Sequence, residues 1–176
     1  MDTWVWILIV VAVVVVLVAI GLWIAQRLRR RRALRERFGP EYDRSVESAR
    51  SRRKAEGDLA ERAEKRERLD IRPLPPDARQ RYVTRWNEVE RRFVDRPEVA
   101  VVEADDLVTQ VMDERGYPVE NFESQAKLIS VDHPEVVDKY RSAHNIYTRT
   151  TSGDADTEQL RRAVVAYRDL FEELTH

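Results

Sequence analysis

The 22 residues from Trp4 to Ala25 carry no charged side chain. This run constrains the chain more than any other feature, because lipid leaves a backbone only the helix as a way to satisfy every N–H and C=O. At about 1.5 Å per residue such a helix is about 33 Å long, enough to cross the roughly 30 Å hydrocarbon layer of a bilayer. From Ile7 to Ile20 every position is Ile, Leu or Val except Ala12 and Ala19. That centre, with Val10, Val14 and Leu17 in it, favours insertion by about 4–7 kcal/mol. Trp4 and Trp6 lie at one end of the run and Trp23 near the other, where indole rings prefer the headgroup region.

A cleaved secretory signal opens with basic residues, carries about 7–15 apolar ones and ends in a small-x-small site. This segment opens Met1-Asp2-Thr3 and ends Ile24-Ala25-Gln26-Arg27, so an uncleaved anchor over residues 1–26 is expected. Its sidedness follows from the flanks, since basic residues stay cytoplasmic during insertion. The first flank holds only Asp2; the second holds Arg27, Arg29, Arg30, Arg31, Arg32, Arg35 and Arg37. The expectation is a single-pass protein of the cell membrane with its N-terminus outside and its C-terminal domain in the cytoplasm. Arg27, Arg29, Arg30, Arg31 and Arg32 are also candidate contacts for anionic lipid, which basic residues beneath a span attract at about 1 kcal/mol each. Gly21 and Ala25 form one small-xxx-small pair that would let two anchors approach in a homo-oligomer.

The formal net charge of −1 is a cancellation. Residues 27–72 hold 17 basic and 10 acidic side chains, whereas residues 73–176 hold 14 and 21. The first stretch reads as a basic juxtamembrane and helical connector. Gly39-Pro40 breaks it, glycine ending one helix and proline suiting the first turn of the next. Tyr42, Val46 and Ala49 share a face, but Arg53 and Glu56 continue it, so a heptad seam fades. Asp58 with Arg62, Glu61 with Lys65 and Glu64 with Arg68 stand at i,i+4 in the supportive order. The expectation is a solvated helix, a weak coiled coil or a charged tether; the opposite balances of connector and domain would also permit self-docking or dimer exchange. Nucleic acid is excluded as a partner, since aromatic residues for stacking are absent after Tyr42 up to the domain and acids interleave the arginines.

Residues 73–176 read as a helical domain of about the size that encloses its own core. Arg72-Pro73-Leu74-Pro75-Pro76 is a stiff, extended break. Pro76 opens a helix with Tyr82, Trp86, Val89 and Phe93 on one face. Pro97 opens a second, with Val101, Ala104, Val108 and Val111, closed by Gly116-Tyr117-Pro118. Asn121 caps a short third with Phe122, Ala126 and Ile129. Pro134 begins a fourth with Val136, Tyr140, Ala143 and Tyr147, closed by Thr151-Ser152-Gly153. Asp156 and Gln159 have capping-box spacing before the stripe Leu160, Val164, Tyr167, Phe171 and Leu174. No segment alternates with period two for long enough to be a strand. The fold class is therefore all-α: a transmembrane helix, a charged helical connector and an antiparallel bundle of four or five helices.

Phe38-Gly39-Pro40-Glu41-Tyr42-Asp43, Arg68-Leu69-Asp70-Ile71-Arg72-Pro73-Leu74-Pro75, Arg115-Gly116-Tyr117-Pro118-Val119 and Asp132-His133-Pro134-Glu135-Val136-Val137 resemble a bacterial family of uncharacterised proteins. In that family these phrases recur in the same order, sometimes behind a hydrophobic amino terminus. The resemblance spans roughly residues 35–174. It implies a bacterial source and one architectural unit, and brings no activity, ligand or catalytic residue with it.

Chemistry is sparse. The chain has no cysteine, which excludes disulfides, thiolate nucleophiles and metal sites built on sulfur. Arginine outnumbers lysine 27 to 4, a bias that a GC-rich genome also produces. Of the three histidines, His144 has no ligand partner at i±4 and His176 is terminal; His133, beside Asp132 and Glu135, is the one candidate for proton handling. Asp132, His133 and Tyr140 form the candidate functional set, with no catalytic residue, metal or cofactor assigned. Acidic Glu103, Asp105, Asp106, Asp113 and Glu114 fall on a helix rather than in a calcium loop. The sequence thus points to a non-enzymatic scaffold or adaptor, with the bilayer and an unidentified protein as partners. A membrane-associated enzyme or ligand-binding bundle is the alternative.

Overall fold

A computed structural model describes residues 3–150 and 153–176. Among them are seven helices and no strand, the all-α class expected. The chain divides into two compact units, residues 1–37 and 38–176.

The first unit is helical from Thr3 onward. It belongs to α1, which runs Thr3–Ser48 with a non-helical residue inside it, Gly39 at φ 46° and ψ −125°. Pro40 follows at once, so the glycine–proline break divides α1 into two helices. The break is specific to glycine: the φ is left-handed, and a Cβ there would come 3.1 Å from Glu135 Oε1. Upstream, Val11–Ile24 presents apolar side chains on every side, and its large ones are 46–67% exposed. This helix, near the N-terminus, is long and apolar enough to cross a membrane. Trp4, Trp6, Val14, Leu17 and Trp23 lie along it and are exposed. The side chain of Val10, and Asp2 altogether, fall outside the described residues.

The second unit has its main core in the last five helices, and local signals explain their ends. Pro76 and Pro97 occupy the first turns of α3 (Pro76–Asp95) and α4 (Pro97–Arg115), with Asp77 and Glu98 favourable to the positive helix end. Left-handed Gly116 (φ 96°) ends α4; its N–H bonds Asp113 O at 2.9 Å and the Tyr117 N–H bonds Met112 O at 2.9 Å. In α5 (Phe122–Asp132) the Asn121 side chain accepts from Ser124 N at 2.8 Å. The fourth domain helix, α6 (Val137–Thr150), starts later than its proline suggests. Pro134–Val136 forms a turn, closed by a Val136 N–H to His133 O bond of 3.3 Å. Thr151 and Ser152, expected to close it, lie outside the described residues. Asp156 and Gln159 form the full capping box of α7 (Thr157–Thr175).

Trp86, Val101, Val108, Ile129, Tyr140, Leu160, Tyr167 and Phe171 share one continuous core. Trp86 stacks on Phe171 with ring centroids 4.8 Å apart.

The connector differs from the solvated helix or tether expected. α2 (Arg52–Glu67) buries Ala55, Leu59 and Ala63 and packs on α5, while Phe38 and Tyr42 are also buried. Residues 38–67 therefore form an arm docked on the bundle. With eight basic and eight acidic side chains the arm has no net charge, so buried apolar side chains and individual ion pairs hold it rather than opposite charge balances. Its alanines and single leucine are too small and too widely spaced to stand out among the charges around them. The i,i+4 pairs are only partly used: Arg68 bonds Glu64 at 2.5 Å, but Arg62 bonds Glu41 instead.

Candidate functional site

The most deeply buried charged group in the second unit is Glu41, whose residue exposure is 1%. Pro40 sets it in the first turn of a helix. Its Oε1 accepts from Arg62 Nη1 at 2.9 Å and Arg141 Nη2 at 2.8 Å, and its Oε2 accepts from Arg141 Nη1 at 2.7 Å. Arg141 thus grips the carboxylate with two nitrogens, the geometry that guanidinium makes possible. Burial alone would push the Glu41 carboxyl up, but the Arg141 guanidinium and then that of Arg62 outweigh it and hold it below its usual range. One carboxylate therefore joins the arm's first helix to α2 and, 100 residues away in sequence, to α6.

A second junction lies at Asp132. Its Oδ2 accepts from Arg66 Nε at 2.5 Å and from the Tyr117 hydroxyl at 2.6 Å. Burial, and then the bond to this carboxylate, push the Tyr117 hydroxyl pKa well up. Next to it the extended linker is pinned in place. Arg72 N donates to Arg115 O at 2.9 Å, and Arg115 donates from Nε to Arg72 O at 3.2 Å and from Nη1 to Leu174 O at 2.9 Å. A Cβ on Gly116 would sit 2.7 Å from Asp70 O, so this position needs glycine both for its φ and for the close backbone approach. Residues from all four phrases singled out in the sequence thus make contacts with one another or with the arm: Gly39 near Glu135, Gly116 against Asp70, Tyr117 on Asp132.

The three sequence candidates do not form a common centre. Asp132 serves the junction just described. His133 directs Nδ1 to Glu173 Oε2 at 3.3 Å, and its Nε2 is buried without a hydrogen-bond partner. Burial depresses its pKa below the ordinary value, more than the carboxylates nearby raise it. Tyr140 is fully buried, donates to Gln125 Oε1 at 2.8 Å and packs against the rings of Phe122 and Tyr167. No hydrogen bond joins these three side chains among the described residues.

A different histidine shares its carboxylate with a tyrosine. His144 stacks on Phe122 at 3.7 Å between centroids, and its Nδ1 lies 3.4 Å from Asp105 Oδ1, which also accepts from the Tyr167 hydroxyl at 2.7 Å. The carboxylate comes from α4, 39 residues away, so inspection of i±4 positions misses it. Packed under aromatic rings, the group ties α4, α6 and α7 together.

Among the described residues no group of three or more His, Cys, Asp or Glu side chains is placed to hold a metal ion. Three of the four lysines, Lys54, Lys65 and Lys127, line a groove of about 580 Å³ between α2 and α5, where Asp58, Glu61 and Glu123 oppose them. Neither sign of charge dominates there.

In the first unit, Arg27, Arg29, Arg30 and Arg32 are exposed and Arg31 is half-buried. The Arg27 guanidinium lies 5.4 Å from the centre of the Trp23 ring, within reach of a cation–π contact.

Comparison with family models, curated proteins and solved structures gives no match for this chain.

Proposed function

We propose that this is a single-span membrane protein that holds a helical domain on the cytoplasmic face as a non-enzymatic scaffold or adaptor for another protein. The observation that carries the reading is the Val11–Ile24 segment, apolar on every side and exposed throughout, joined to a domain whose buried carboxylates are engaged in holding its own helices. The orientation rests on the arginines after Gln26. We take the chain, by its four phrases, as a member of the bacterial family they resemble. An uncleaved anchor is favoured over a signal sequence by the length of the run.

Two experiments test this reading. A C-terminal reporter active only outside the cytoplasm stays silent if the orientation is correct; activity overturns it. A photo-crosslinking amino acid at Val94, exposed at the end of α3, captures one protein reproducibly in living cells. Absence of any protein adduct from this and from positions spread over the rest of the domain removes the adaptor reading.

A second reading, a ligand-binding or enzymatic bundle, is favoured by one observation, the partnerless buried Nε2 of His133. Replacing His133 with Gln tests it. Loss of phenotype with an unchanged melting temperature supports a site, and an unchanged phenotype removes it.

A further inference from the structure

The arginines that follow the apolar run are arranged as a ring. At about 100° per helical residue, Arg27, Arg29, Arg30 and Arg32 project at about 0°, 200°, 300° and 140° around the axis, with no gap above about 140°; half-buried Arg31 is not one of the ring. The helix is unbroken through these positions, and Arg27, Arg29, Arg30 and Arg32 are exposed. No acidic residue occurs between Arg27 and Arg35.

A protein groove or a nucleic acid touches a helix on one side and selects a charged stripe on that side. A ring suits surroundings that are negative in every direction around the axis. Its height is equally limiting. Arg27 to Arg32 rise about 7.5 Å along the helix, and the headgroup layer of one leaflet is about 5–8 Å thick. The ring begins two residues beyond the last apolar residue of the run, Ala25. Trp23, an indole suited to the hydrocarbon boundary, lies beneath the Arg27 guanidinium. Guanidinium groups pair with phosphate oxygens through two parallel N–H donors, which a lysine collar could not do.

We infer that Arg27, Arg29, Arg30 and Arg32 form a binding collar for the headgroups of anionic phospholipids, which surround the helix where it leaves the bilayer. This rests on the membrane-span reading above and deepens it. The anchor selects its lipid neighbours, so the domain is held preferentially where anionic lipid is dense.

The test uses the full-length chain in phosphatidylcholine vesicles containing a trace of spin-labelled phosphatidylglycerol or, in parallel, spin-labelled phosphatidylcholine. Electron paramagnetic resonance reads the fraction of each label immobilised by the protein. The wild type retains the anionic label with a several-fold preference. The variant Arg27→Gln, Arg29→Gln, Arg30→Gln, Arg32→Gln holds both labels equally. A variant that keeps the wild-type preference, or a wild type with none, overturns the collar. An alkaline wash of the same vesicles separates the two levels of the argument. Protein that stays in the bilayer but shows no anionic preference overturns the collar alone, whereas protein washed out overturns the span and the collar with it.

Discussion

Two helices of this protein are rich in large apolar side chains and use them in opposite ways. In α7, Leu160, Val164, Tyr167, Phe171 and Leu174 lie on one face and are buried, while Arg161, Arg162 and Glu172 on the other face are exposed. The apolar run in α1 has no polar face over Val11–Ile24, and its large side chains there are about half exposed or more. Amphipathicity directs a helix onto its own chain, where one buried stripe is enough. A helix that is apolar all round cannot be satisfied by covering one side, and a bilayer is an environment that covers every side. The arginines repeat the contrast. Arg62 and Arg141 are consumed by a buried carboxylate, whereas Arg27, Arg29, Arg30 and Arg32 are exposed.

The strongest way to break the comparison is to put charge into the span. Val14→Lys with Leu17→Lys should cost about 6–8 kcal/mol of insertion free energy and move the protein out of the membrane fraction, with the thermal unfolding of its domain unchanged. The reciprocal change, Leu170→Ala in α7, should cost the domain about 2–5 kcal/mol and leave membrane retention intact. If Leu170→Ala impaired retention, or the span variant unfolded the domain, the two units would not be independent.

Truncating Glu41 to Ala should be somewhat milder, about 2–4 kcal/mol by chemical denaturation, because it strands two partly buried guanidinium groups. Hydrogen exchange would show the loss first in residues 38–67, before α3–α7. Uniform loss across the domain would mean that the arm is no separate layer.

The smallest effect is pH dependence. The folded-state pKa of His133 is depressed, so its contribution is complete above the unfolded value of about 6.5 and is lost as the pH falls below it. Glu41 is depressed too, so its contribution is present above about 4.5 and is lost on further acidification. The melting temperature should therefore fall in two stages as the pH is lowered. His133→Gln should remove the first stage, and a first stage that survives in that variant would assign it to another group.

The punctuation of the domain was readable from its residues. Prolines at 76 and 97, the Asn121 cap, Gly116 and the Asp156–Gln159 box act within a few residues of themselves, and the helices start or stop where these say. Val136 shows the limit, because Pro134 opens a turn before α6 rather than the helix itself. Docking of the arm was harder to see. Ala55, Leu59 and Ala63 bury little surface apiece, and the carboxylate that fastens them, Glu41, finds its main partner at Arg141. Nothing local to Glu41 separates it from the chain's other acids. Asp105 and His144 likewise meet across helices, beyond the reach of i±4 spacing. For the candidate set, proximity in sequence was the wrong guide: Asp132 and His133 are adjacent in the chain yet bond to different elements, Asp132 to Arg66 and Tyr117, His133 to Glu173.

The account turns on an intact, lipid-embedded first helix. Its most direct test is the intact mass of the native protein recovered from membranes after alkaline washing. The prediction is a membrane-retained chain of 20.7 kDa that still carries its apolar run. A species lacking that run, or recovery of the protein in the wash, would contradict it.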